Sequence, residues 1–155
     1  MTVETYTLAP WVAPLLKKLS PRERRMIMRK IAVIVRREQA ERIRQQQNPE
    51  GTHYAPRKTT SPRQGAIRHN AMFGKLRTAR YLHVQSSEKR ATVMFRGRTA
   101  GIARVHQYGL VDQVKRGRPG KVKYARRGLL GVTGRTRRLI EREVLNALGE
   151  RERVL

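Results

Sequence analysis

The longest regular hydrophobic pattern of the chain lies between residues 21 and 46. Apolar side chains recur there every three or four positions, which is the spacing of one face of an α-helix. Ser20, Pro21 and Glu23 form a start signal, in which Ser20 caps the first turn and Glu23 closes a capping box. The Asn-Pro-Glu-Gly turn at 48–51 ends the helix. The predicted apolar face consists of Ile27, Met28, Ile31, Ala32, Ile34, Val35 and Ile43.

Shorter patterns predict the other elements. Residues 8–19 and 71–78 have helical spacing, whereas 81–84 and 91–95 alternate between apolar and polar side chains, as strands do. Thr133 is placed to cap a last helix that Gly149 ends. The predicted buried face of this last helix consists of Leu139, Ile140, Val144, Ala147 and Leu148.

A short amphipathic helix is predicted over residues 102–110. Ile102, Val105 and His106 share one face at the i, i+3, i+4 spacing, and Gln107 points elsewhere. The predicted fold class is therefore α+β: a long N-terminal helix and a C-terminal helix pack on a small antiparallel sheet, with a short helix between strands. The 155 residues, 38% of them hydrophobic, suffice for one modest core, so 1–155 is expected to be a single domain.

Positive charge is concentrated in the middle of the chain. The net charge is +25, and residues 57–127 carry 19 lysines and arginines against only Glu88 and Asp112. Two stretches with few apolar residues are predicted to be irregular: a basic arm at 52–70 and a basic loop at 111–123. The arm either ties subunits or partners together after ordering on assembly, or is an idle solvated loop. The charge predicts an anionic partner, either nucleic acid or an acidic protein surface.

No set of residues suited to catalysis is found. His53, His69, His83 and His106 lack a partner at the spacing of a metal pair, and no glycine-rich phosphate loop occurs. We therefore expect no enzyme activity, cofactor or metal, and we interpret His106 as a packed structural side chain. The chain has no cysteine, which excludes disulfides and zinc sites with cysteine ligands. No apolar run is long enough to cross a bilayer, so no membrane association is expected.

Several short motifs occur in an ordered set. They are residues 72–77 (Met-Phe-Gly-Lys-Leu-Arg), 103–110 (Ala-Arg-Val-His-Gln-Tyr-Gly-Leu) and 129–133 (Leu-Leu-Gly-Val-Thr), with supporting pieces at 42–52 and 54–58. Together they resemble the phage tail-completion (virion morphogenesis, tail S) family. That family usually has Ala-Arg-Pro-Leu-Leu-Gly where this chain has Ala-Arg-Arg-Gly-Leu-Leu-Gly, so an arginine and a glycine replace a proline.

The resemblance implies a structural protein of the virion neck. Such a subunit is expected to assemble in the host cytoplasm into a hexameric ring that completes the tail and joins it to the head, with genomic DNA passing through the channel. Its expected neighbours are tail-terminator and head-completion or connector proteins. The alternative, favoured by charge alone, is a sequence-independent nucleic-acid-binding protein. The candidate subunit or partner contacts are Arg57, Lys58, Arg104, His106, Tyr108, Lys115, Arg116, Arg118, Lys121, Arg126 and Arg127.

Overall fold

A computed structural model describes residues 12–57, 71–113 and 120–152. It confirms the α+β class. The elements are α1 (Val12–Lys17), α2 (Pro21–Arg44), β1 (Leu82–Ser86), β2 (Ala91–Phe95), α3 (Arg98–Tyr108), β3 (Val111–Gln113), β4 (Lys121–Lys123) and α4 (Gly134–Glu152).

Helix α2 is the central element, and it begins as its sequence predicts. The backbone N–H of Ser20 donates to Glu23 Oε2 at 2.6 Å, and the backbone N–H of Glu23 donates to Ser20 Oγ at 3.3 Å. These two bonds form the capping box, which satisfies N–H groups that the first turn leaves without helical partners. The expected apolar face is buried over most of its length, but Gln39 and Arg42 are buried with it.

Two apolar clusters form along α2. Towards its N-terminus, Ile27 and Ile31 pack with Ile140 and Val144 of α4. Towards its C-terminus, Ile43 joins a second cluster with side chains of the β1–β2 hairpin, α3 and residues 129–130. Helix α2 thus separates α4 from most of the sheet, and it covers one face of the antiparallel hairpin, in which Leu82 pairs with Phe95 and Val84 with Val93.

Three sequence-based expectations about local structure are wrong. Residues 71–78 form turns rather than a helix, because Phe73 adopts a left-handed φ of 63° that interrupts helical hydrogen bonding. Gly149 lies inside α4 instead of ending it. The described ends of the expected loop, 111–113 and 121–123, form an antiparallel strand pair, in which Asp112 of β3 pairs with Val122 of β4.

The first residues of the expected basic arm belong to the folded subunit. Residues 52–57 pack against the body of the subunit, because Tyr54 is buried in the second cluster and its N–H donates to Gln46 O at 2.7 Å. One aromatic side chain is sufficient to anchor this polar segment. The rest of the expected arm, 58–70, lies outside the described residues.

Helix α3 is rotated relative to the predicted face. Ala103 and Gln107 are its buried residues, whereas Ile102 is 50% exposed. Gly109 adopts a left-handed conformation (φ 63°) and donates to Val105 O, which ends the helix. The rotation follows from Gln107, whose amide is needed inside the subunit as described below. Within the described residues, no helix combines the length and the apolar character that crossing a membrane would require.

Candidate partner-binding site

Side-chain hydrogen bonds hold most of the segment that leads from β4 to α4. We call residues 125–131 the strap. All eight backbone N–H and C=O groups of residues 128–131 are hydrogen-bonded to side chains from α2, the 46–54 turn and α3. Buried backbone groups need partners, and a segment outside any strand or helix must find them elsewhere. The strap therefore fixes α2, α3 and the 46–54 turn relative to one another.

Gln107 supplies the contact from α3. Its Oε1 accepts from the N–H of Leu129 at 2.8 Å and from the N–H of Leu130 at 3.0 Å, and its Nε2 donates to Leu130 O at 2.8 Å. The side chain is 8% exposed, and Leu129 and Leu130 are 0% and 3% exposed. One amide thus satisfies three backbone groups in a region where water has little access.

Gln39 and Arg42 supply the contact from α2. Gln39 bonds both backbone groups of Gly131, accepting from its N–H at 3.0 Å and donating to its carbonyl at 2.8 Å. Arg42 donates to Gly128 O at 2.7 Å and to Leu129 O at 3.1 Å, and also bonds Gln39 Oε1. Burial lowers the pKa of Arg42, but a guanidinium remains charged in any case. Carbonyl oxygens therefore solvate this buried cation.

The turn after α2 is in direct contact with the strap. Asn48 Oδ1 accepts from Gly128 N–H at 2.7 Å, and the Tyr54 hydroxyl donates to Gly128 O at 3.2 Å. A Cβ atom added at Gly128 would lie 2.6 Å from Pro49 Cδ, and one at Gly131 would lie 2.8 Å from Pro49 Cβ. Both glycines are required because the proline ring fills the space that a side chain would need.

Arg127 and His106 join the strap to α3 and to residues 55–56. Arg127 donates through Nε to Ala55 O at 2.8 Å and through Nη2 to Pro56 O at 2.9 Å, and its Nη1 lies 3.3 Å from His106 Nδ1. Its own N–H donates to His106 O at 2.7 Å. Arg127 is 5% exposed, so it is held inside the subunit.

The imidazole of His106 is enclosed by aromatic rings. Its centroid lies 4.8 Å from that of Phe73 and 5.0 Å from that of Tyr124, both in edge-to-face arrangements. Burial, followed by the charges of Arg127 and Arg57, lowers the pKa of His106 to about 4. The ring is therefore neutral near pH 7, and Nδ1 can accept from Arg127. His106 therefore packs within the subunit against these two rings.

The other predicted contact residues divide into exposed ones and ones outside the described residues. Arg57, Arg104 and Lys121 are exposed, and Tyr108 is 54% exposed. Arg126 is exposed and pairs with Glu50 at 2.9 Å. The structure brings Arg57, His106 and Arg127 close together, and their partner contacts stay predictions. The remaining candidates, which lie outside the described residues, are Lys58, Lys115, Arg116 and Arg118.

Sequence reasoning missed the polar residues that hold the strap. Gln39 and Arg42 continue the i, i+3, i+4 spacing of the buried face of α2, and Gln107 lies four residues after buried Ala103. A polar residue at a position where the helical period requires burial is the signal that could have identified them. No unsatisfied buried side-chain nitrogen or oxygen is found among the described residues, and no group of three or more metal-ligating side chains is found there either.

The geometry defines a small, basic α+β subunit whose buried polar groups fix its own backbone. The comparisons with known proteins agree with a structural class: residues 3–149 match the model of the phage virion morphogenesis family, and the chain belongs to that family. It is 38% identical over 134 residues to tail completion protein S of Escherichia phage P2, and the match covers 84% of this chain and 88% of that protein. No solved structure matches the chain.

Proposed function

We propose that this protein completes a phage tail and joins it to the head, as a hexameric ring in the virion neck through which genomic DNA passes. The observation that carries this proposal is the 38% identity to tail completion protein S across 84% of the chain. The neighbours in this role are tail-terminator and head-completion or connector proteins. Assembly takes place in the host cytoplasm.

The use of polar groups in the fold supports a structural role rather than a catalytic one. Gln39, Arg42, Gln107 and Arg127 are occupied by backbone atoms of the same subunit. Such a fully bonded network specifies a single backbone arrangement. A subunit that must repeat the same contacts around a ring benefits from that rigidity.

The distribution of ion pairs supports an anionic partner. Five of the described acidic residues pair with arginine or lysine of the same subunit, and the whole chain has 36 lysines and arginines against 11 acidic residues. Much of the positive charge therefore lacks an internal counterion, and self-repulsion favours docking on an anionic surface. The internal ion pairs are Arg24–Glu88, Lys30–Glu143, Arg44–Glu41, Arg126–Glu50 and Arg135–Glu38.

The same charge favours the second candidate function, sequence-independent binding of nucleic acid. We place most of the charge at protein interfaces, because DNA must slide through the channel during ejection. Each phosphate that a lysine or arginine neutralises adds nearly one unit to the slope of the logarithm of the binding constant against the logarithm of the salt concentration. A channel lined with many arginines would make many such contacts and would hold the genome tightly. A permanent joint between proteins instead gains from complementary charge and steered docking.

Particle mass and shape distinguish the two candidate functions. We expect purified, nuclease-treated protein to form rings in electron micrographs without added nucleic acid. Light scattering at low and high salt then gives the mass of the particle in solution. If the protein stays monomeric and forms large particles only with DNA, the nucleic-acid-binding function is the better one.

Charge reversal in the basic loop tests which anion it contacts. Changing Lys115, Arg116, Arg118 and Lys121 to glutamate should leave DNA packaging in heads intact but prevent tails from being completed or joined. The matched control reverses Arg25 and Arg29, which are exposed on α2. If virions with the loop variant assemble normally and only DNA retention or ejection changes, the loop contacts the genome.

A further inference from the structure

Helix α3 exposes apolar side chains on the face opposite the strap. Ile102 and Tyr108 are 50% and 54% exposed, and Val105 is half-buried between them along the helix. Just beyond the C-terminus of α3, Val111 at the start of β3 is 57% exposed. We call Gly101, Ile102, Val105, Tyr108 and Val111 the α3 surface. Large apolar side chains grouped on one element, rather than scattered singly, indicate an interaction site.

Gly101 supplies a second, independent observation. It lies inside α3, where glycine costs about 1 kcal/mol relative to alanine. A Cβ atom added there would meet nothing within 4 Å, so packing within the subunit does not require glycine. The missing side chain leaves helix backbone open beside Ile102 and Val105. Such an opening suits the close approach of another chain.

Charge indicates what kind of chain that is. The exposed residues Arg98 and Arg104 lie on α3 beside the apolar side chains, and Val111 of β3 pairs with Lys123 of β4. A complementary surface therefore needs carboxylates around an apolar centre. A second copy of this chain fits poorly, because it carries 11 acidic residues against 36 lysines and arginines, and five of its described glutamates already pair with arginine or lysine of the same subunit.

We propose that the α3 surface docks a different virion protein, one that presents an apolar ridge flanked by carboxylates, with the ridge lying over Gly101. The proposal rests on the proposed function, since it takes the partner to be a component of the tail or head. It adds to that function the face of the subunit that contacts the partner. The strap contributes by fixing the opposite face of α3 through Gln107.

Two glycine variants test the proposal without endangering the fold. Gly101→Leu fills the opening, whereas Gly149→Leu adds the same side chain at a helical glycine of α4 where a Cβ also meets nothing within 4 Å. Both changes should raise Tm slightly, because each removes a helical glycine. Each purified variant is mixed with tails and heads isolated from a phage that lacks this gene, and bound protein is measured by cosedimentation.

We expect wild type and Gly149→Leu to bind equally and Gly101→Leu to lose at least about ten-fold in affinity, because a buried side chain at the centre of an interface blocks close packing. Arg104→Glu should also weaken binding, and Arg29→Glu on α2 should not. If Gly101→Leu binds as wild type does, the proposal is wrong.

Three outcomes separate the docking surface, the kind of partner and the proposed function. If Gly101→Leu dissociates the particle formed by the protein alone, as light scattering would show, the α3 surface contacts a second copy and the heterologous partner is refuted. If the wild-type protein neither binds these tails and heads nor restores joining, the proposed function fails, and the partner inferred here fails with it. If wild type and Gly101→Leu bind equally well, the docking surface is refuted and the proposed function is not affected.

Discussion

The buried amide of Gln107 offers the sharpest test of how the strap is held. Replacement by leucine keeps a side chain of similar size but removes the three hydrogen bonds to Leu129 and Leu130. These backbone groups then lack partners in a part of the subunit where both leucines are at most 3% exposed. No other described side chain is bonded to the N–H groups of Leu129 and Leu130 or to the carbonyl of Leu130, so these three groups lose their only side-chain partner, and α3 keeps only the contacts of His106 with Arg127.

The expected loss of stability follows from those three groups. An unsatisfied buried donor or acceptor costs about 1–3 kcal/mol, and the added apolar side chain recovers about 1–2 kcal/mol by burial. The three groups together cost about 3–9 kcal/mol, so we expect Gln107→Leu to lower the free energy of unfolding by about 1–8 kcal/mol, with about 4 kcal/mol as the central value. Small domains have only about 5–15 kcal/mol in total, so this variant should be close to unfolding at room temperature.

Urea unfolding followed by circular dichroism measures the effect. With a slope of about 2 kcal/mol per M, the midpoint should fall by roughly 2 M. Protein concentration must be held constant, since association also contributes to apparent stability. The control is Gln85→Leu on β1, an exposed glutamine that should change stability by less than about 0.5 kcal/mol. A loss below about 1 kcal/mol for Gln107→Leu would refute the view that side-chain hydrogen bonds hold the strap.

Two further predictions concern the same region. Gly131→Ala should lower the free energy of unfolding by about 1–3 kcal/mol, because the new methyl group overlaps the ring of Pro49. Gly149→Ala, the control, should raise it by up to about 1 kcal/mol. Thermal unfolding compares the two variants, and equal stability would contradict the close contact between Gly131 and Pro49. Acidification from pH 6.5 to about 4 should lower the Tm of the wild type more than that of His106→Phe. The reason is that histidine in the unfolded chain takes up a proton at a higher pH than the buried ring, whose pKa is about 4. Parallel curves of Tm against pH for the two proteins would contradict a buried neutral imidazole.

Local signals in the sequence predicted the principal elements. The capping box at Ser20 and Glu23, the helical period of α2 and the alternation in β2 all depend on residues within a few positions of one another. Phe73 shows where such reasoning fails. Its segment has helical spacing, yet Gln46 bonds both the N–H and the carbonyl of Met72, and Phe73 turns to a left-handed φ where it contacts His106.

The contacts of the strap could not be predicted because they join distant parts of the chain. Gln39 bonds Gly131 at a separation of 92 residues, and Arg42 bonds Gly128 at a separation of 86. Because these partners are so far away in sequence, nothing near Gln39 and Arg42 shows that their polar side chains are buried. Tyr54 was assigned to an irregular arm for the same reason, since nothing near it in sequence shows that its ring enters the core.

The neck location is the central claim, and electron microscopy of virions tests it most directly. A phage from which this gene is deleted should produce DNA-filled heads and separate, uncompleted tails. Adding purified wild-type protein should then restore joined particles, with a ring of new density at the head-proximal end of the tail. Heads and tails that join normally without the protein, or restored particles in which no such density appears, would contradict the account.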